Sequence, residues 1–206
     1  MTDPDHALPS VELCVQRAQA LATLDTVLSP KWESRYYSFN SQWAPGERLA
    51  SMRDGEGSHS FMLFVGSGCI YKTFDHEAPP GADLEARTAA VRAQAPELYR
   101  AFFSEPAFMV EDWTRIGWSD KAQGAWVLHL SGQHEDTLLA LIEGGDPEAY
   151  LRWATGYFGT EVLLDAVEAV FRHQPLTPEL ARQLHPEVNW TDLRANLAEI
   201  GYPCAG

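Results

Sequence analysis

Four short segments in succession constrain the fold more than any other feature: "SRYYSFNSQW", "RLASMRD", "SHSFMLFV" and "CIYKTFDHE". Each is rich in aromatic and β-branched residues, and turn chemistry parts each from the next. "APGE" and "DGEG" separate the first two pairs, and "GSG" joins the third at hairpin length. Neighbours joined this tightly pair antiparallel, so a four-stranded meander is predicted over 35–77. "EPAFMVEDWTRIGW" and "GAWVLHL", joined by the polar turn "SDKAQG", read as a later hairpin.

Helical periodicity occupies the rest. In "SVELCVQRAQALATLDTVLSP", Val11, Cys14, Val15, Ala18, Leu21, Ala22 and Leu28 share one face, with Ser10 as N-cap and Ser29-Pro30 as the stop. "APPGAD" ends the meander, and a helix is predicted over 83–94, with a shorter one from Pro96 to Phe103. From residue 133 onward the chain reads as all helical. Asp146-Pro147 and Thr177-Pro178 open helices, Gly159 closes one, Thr160 precedes "EVLLDAVEAVF", and a final helix over 190–200 stops at "GYP". The expected class is α+β in a single domain, 1–206: mixed helix and antiparallel sheet over 1–132, then a helical subregion over 133–206.

Composition narrows the function. The chain has 206 residues, with 29 acids against 15 bases and a net charge of −14. Nucleic-acid and anionic-membrane binding call on clustered Lys and Arg, and no such cluster exists here, so neither is expected. Apolar runs such as "FMLFV" fall far short of the roughly 20 residues of a membrane-spanning helix. The opening "MTDPDHALPS" lacks the basic and apolar regions of a signal peptide. Three scattered cysteines (Cys14, Cys69, Cys204) outline neither a disulfide framework nor a zinc site, so a reducing cytoplasm is the expected compartment.

Motifs for phosphate cradling, serine hydrolysis and zinc proteolysis are absent. Asp75 and Glu77 in "DHE" would converge on an extended strand while His76 points away. "HLSGQHED" sets His129, His134, Glu135 and Asp136 across a strand-to-helix loop, but Glu135 and Asp136 equally suit a helix start. No metal and no cofactor is expected. Two sets of residues remain as candidates. Asn40, Trp43, Arg53, Asp54, Asp75 and His76 surround the aromatic strands and are the candidate binding residues. Glu161, Asp165 and Glu168 lie opposite the apolar face of Leu163, Ala166, Val167, Val170 and Phe171, and are the candidate partner face. No catalytic residue stands out.

Phe39, Asn40 and Trp43, then Met52, Arg53, Asp54, Gly55 and Gly57, then Asp75 and His76, follow a pattern close to F-N-x-x-W…M-R-[DN]-G-x-G with an acidic-His segment after it. In this, and at "EPAF" and "EIGYP", the chain resembles an uncharacterised family of bacterial proteins. The resemblance implies a bacterial, cytosolic α+β protein and carries no activity with it. In size, charge and fold class the chain is also similar to immunity proteins that neutralise bacterial toxins. The leading expectation is therefore a non-catalytic acidic module that binds a basic protein. The alternative is a small enzyme or small-molecule binder with a pocket near Arg53 and Asp75/His76, and a third reading is a homodimer built on the aromatic strands.

Overall fold

A computed structural model of the chain describes residues 8–79, 81–120, 125–132 and 137–205. The polar turn predicted over 119–124 falls mostly outside them, and so do His134, Glu135 and Asp136. The meander and the later hairpin join in one antiparallel sheet of six strands, in sequence order. The strands are β1 (Tyr37–Ala44), β2 (Glu47–Arg53), β3 (His59–Val65), β4 (Gly68–Phe74), β5 (Arg115–Asp120) and β6 (Ala125–Leu130). The fold is α+β, as the residue pattern predicts.

The sheet is the middle of three layers. Phe39, Ala50, Met62, Phe64, Cys69 and Tyr71 point to one face, where they pack on α1 (Val11–Leu28) and the C-terminal helices. Leu49, Phe61, Leu63, Ile70, Ile116 and Trp118 point to the other, under α2 (Leu84–Gln94) and the 3-10 turns Glu97–Ser104 and Pro106–Phe108. Two-sided burial explains the unbroken run Phe61–Phe64, since neither pleat of β3 meets water.

α1 is buried almost all round from Ala18 to Leu28, so its single predicted face is too narrow. It lies between the sheet and α5 (Leu164–Phe171), α6 (Pro178–Leu184) and α7 (Trp190–Ile200). Gln19 on α1 donates to the carbonyls of Ile200 and Gly201, satisfying the end of α7. Ser41 donates to the Glu199 carbonyl, so α7 also packs along the outer edge of β1. Between the sheet hairpin and α5 come α3 (Ala140–Gly144) and α4 (Pro147–Phe158).

Caps foreseen in the sequence form. Ser10 accepts from the Leu13 N–H, Asp146 from Glu148 and Thr177 from Leu180. Three expectations change. The first strand of the later hairpin begins only at Arg115, because Pro106 opens a 3-10 turn and Met109 takes a left-handed conformation. The Pro96–Phe103 segment is 3-10 rather than α. The helix expected from Glu161 begins at Leu164, which leaves Leu163 59% exposed instead of on the apolar face. Among the described residues no helix is long and apolar enough to cross a membrane.

Gly117 on β5 permits a close approach between strands. A Cβ there would sit 2.5 Å from the Val127 carbonyl oxygen and 3.0 Å from the Tyr71 ring. Backbone cannot yield as a side chain can, so Gly117→Ala should cost about 1–3 kcal/mol. Urea unfolding checks this; an unchanged midpoint would show that the strands have slack.

Candidate functional site

β1, β3 and β5 begin at one end of the sheet, and β2, β4 and β6 finish there. That end gathers the β2–β3 turn, the segment after β4 and the loop before β5. It therefore carries Asp54, Glu56, Asp75, Glu77, Glu111 and Asp112, with Arg53 at the end of β2. Glu56, Glu77, Glu111 and Asp112 are exposed.

The support for this end comes from a buried carboxylate. Asp25, fully buried on α1, accepts from the backbone N–H of Tyr36 at 2.8 Å and of Tyr37 at 2.9 Å through one oxygen. Its other oxygen accepts from the Tyr150 hydroxyl of α4 at 2.8 Å. Burial raises its pKa to about 7, against the opposing pull of these donors and the Arg35 charge. Asp25 thus joins the start of β1 to α4. The join brings Tyr36 against Trp153 (ring centroids 4.8 Å) and Tyr157 (4.9 Å), while Trp153 and Tyr157, one helical turn apart, stack at 12°. Tyr157 remains 46% exposed.

The β2–β3 turn is held by its own carboxylate. Asp54 accepts from the N–H groups of Glu56 and Gly57 at 2.8 and 2.9 Å. Burial alone would raise its pKa, but hydrogen bonds from the Ser58 hydroxyl and three backbone amides lower it. His76 Nδ1 lies 2.7 Å from Ser58 Oγ and 3.8 Å from Asp54 Oδ2. The residue types match a hydrolytic triad but the order does not. Serine and aspartate lie on the same ring nitrogen, Nδ1, whereas a triad sets them on opposite nitrogens of the imidazole, so Asp54 is not placed to orient His76 as a base for Ser58.

Lys72, fully buried on β4, is a second internal charge. Its ammonium donates to the carbonyls of Met109 (2.7 Å) and Asp112 (2.5 Å) and to His59 Nε2 (3.0 Å), which uses all three protons. His59 Nδ1 in turn donates to the Gly57 carbonyl. Lys72 therefore straps the loop before β5 to the sheet. Burial lowers its pKa to about 7, with Asp112 and Glu111 opposing. On the opposite sheet face Arg115 pairs with Glu143 at 2.5 Å and donates to the Tyr71 hydroxyl at 3.0 Å, tying β5 to α3.

Asn40 and Trp43 lie toward the other end of the β1–β2 hairpin. Asn40 accepts from the Gln42 N–H at a bulge in β1, and Trp43, 38% exposed, packs on Phe108. Arg53 sits over the Phe61 ring at 5.2 Å, and Phe61 touches Phe108, so a file of rings links Arg53 to Trp43 across the sheet. The expected convergence of Asp75 and Glu77 does not form: the chain turns there, and Asp75 accepts from the Glu77 N–H. Asp165 is exposed on α5, Glu161 is exposed ahead of it, and Glu168 pairs with Arg172 at 2.8 Å.

No group of three metal-ligating side chains occurs among the described residues; His129 packs, tilted, against Trp118. Cys14 and Cys69 are buried, and burial pushes the Cys14 thiol up to about 12. Compared with known proteins, the chain matches no family model, no curated protein and no solved structure.

Asp25 and Lys72 make stability depend on pH with opposite signs. Asp25 titrates near 7 folded against 3.8 as its ordinary value, so its contribution is complete below that value and is lost as pH rises through 7. Lys72 titrates near 7 folded against 10.5, so its contribution is complete above 10.5 and is lost as pH falls to 7. Urea midpoints across this range should fall toward neutrality from both sides. Asp25→Asn should flatten the acid limb and Lys72→Met the alkaline limb; unchanged slopes would remove these groups as the cause.

Proposed function

We propose that this chain is a non-catalytic acidic binding module, of the immunity type, whose partner is a basic protein. The observation that carries the reading is the sheet end, where six carboxylates gather, four of them exposed, and where exposed Tyr157 packs with half-buried Tyr36 and Trp153 at the start of β1. The groups that would do chemistry hold the structure together instead. Asp54, Asp75 and His76 engage neighbouring turns, Arg53 lies on Phe61, and Lys72 and Asp25 have their hydrogen bonds directed inward. This supports a binding surface over a pocket enzyme built on Arg53, Asp54, Asp75 and His76.

Excess negative charge steers a basic partner and speeds encounter, while buried aromatic anchors slow release. Glu161, Asp165 and Glu168 add to this field from α5 and the segment before it. With twelve acids against four bases over 133–206, the helical subregion is acidic throughout.

Capture from the native lysate, with low-salt and then high-salt elution and mass spectrometry, supplies the partner. A stoichiometric protein of high isoelectric point released by salt supports the reading; a stoichiometric acidic or neutral partner unaffected by salt contradicts it. With that partner, combined Glu161→Gln, Asp165→Asn and Glu168→Gln should slow association about threefold to tenfold at low salt, with dissociation little changed. An unchanged association rate removes these three residues from the steering field.

A further inference from the structure

We infer that the ring platform of Tyr36, Trp153 and Tyr157 is a docking site for arginine side chains of a basic protein segment. The inference rests on the binding-module reading and assigns it a place and a chemistry. Surface rings usually stand singly, whereas here three meet within 5.3 Å of one another, and a stacked pair on α4 ends at exposed Tyr157. Phe158 extends the cluster with T-shaped contacts to both Trp153 and Tyr157.

Charge selects the occupant. The Arg53 N–H donates to the Tyr36 carbonyl at 2.9 Å, so the turn that carries Asp54 and Glu56 starts beside Tyr36; burial first, then Asp54, Tyr157 and Glu56, raises the pKa of the Tyr36 hydroxyl. A neutral apolar partner would leave those anions facing its own surface, and an anionic membrane or nucleic acid would be repelled. A cation gains twice, from the ring faces and from the carboxylates. Arginine suits the site better than lysine, because its planar guanidinium stacks on an indole or phenol while its edge still forks onto a carboxylate. The nearby basic side chains are engaged elsewhere. Arg35 donates to the carbonyls of Ser29 and Pro30 and to Asn196, Arg53 lies over Phe61, and Arg152 faces Asp146 and Glu148.

The test uses the full chain and three labelled Gly-Ser peptides that differ only in carrying arginine, lysine or citrulline at the same three positions. Binding is followed by fluorescence anisotropy at low salt, and the indole N–H resonance of Trp153 is followed by NMR in the wild-type protein. The arginine peptide should bind several-fold more tightly than the lysine peptide, citrulline should abolish binding, and the Trp153 resonance should shift on titration. Tyr157→Ala, at an exposed position, should weaken arginine-peptide binding about fivefold, and Glu56→Gln should weaken it less. Arginine binding that ignores Tyr157→Ala and leaves Trp153 unshifted, but falls when Glu161, Asp165 and Glu168 are neutralised, overturns the platform and leaves the acidic module standing. Equal affinity for arginine and lysine overturns the arginine assignment. Failure of both cationic peptides to bind overturns the platform and counts against the binding-module reading as well.

Discussion

Asp25 is the interaction on which the arrangement depends. A carboxylate in an apolar interior is costly unless hydrogen bonds replace the water it gives up. Here the donors come from two distant places in the chain: the backbone at Tyr36 and Tyr37, and the Tyr150 hydroxyl. The first strand and α4 are therefore registered against the same point of α1. Removing one donor would leave the charge under-satisfied, which couples the elements more tightly than apolar contact alone. The ring cluster, exposed at Tyr157, is positioned by this buried group, because Tyr36 stands at one of its donors and Trp153 and Tyr157 follow Tyr150 along α4.

The opposite layer is organised on the same principle with the sign reversed. Lys72 reaches through the apolar face of β4 to two carbonyls of a loop that makes no strand pairing of its own, and His59 completes its coordination. A non-glycine left-handed residue, Met109, lies in that loop, and Lys72 donates to its carbonyl. Inside, each charge fastens one segment to the sheet. Outside, Glu56, Glu77, Glu111 and Asp112 are exposed at the sheet end, and the proposed binding role rests on this division between structural and solvent-facing charge.

Much of the fold was legible because local signals agreed with one another. Turn dipeptides fixed the meander's order, and Ser10, Asp146, Thr177, Gly159 and Gly201 marked helix ends by chemistry that needs no tertiary context. The strand expected around Met109 failed because apolar content alone does not separate a strand from a buried 3-10 turn, and Pro106 decides the matter. The onset of α5 was misplaced because Glu161 resembles a first-turn acid, although Val162 is buried and Leu163 extended. The candidate site was only partly legible. Asp54 and His76 come together as neighbours of one turn, whereas Asn40 and Trp43 belong to the far end of the hairpin. Asp25 and Lys72 carried a signal, a lone charge inside an apolar helix or strand, but nothing in the sequence names their partners. Trp153 and Tyr157 lie at i and i+4, a spacing that predicts contact on a helix, yet only the folded chain brings Tyr36 to them.

The central claim is that Asp25 couples β1 to α4. A double-mutant cycle with Asp25→Asn and Tyr150→Phe, read by urea unfolding, tests it most directly, since both changes conserve volume. A hydrogen bond to a charged acceptor in the interior predicts that the two losses fail to add by about 1–3 kcal/mol. Additive losses would mean that Tyr150 and Asp25 contribute independently, and that the platform is held by apolar packing instead.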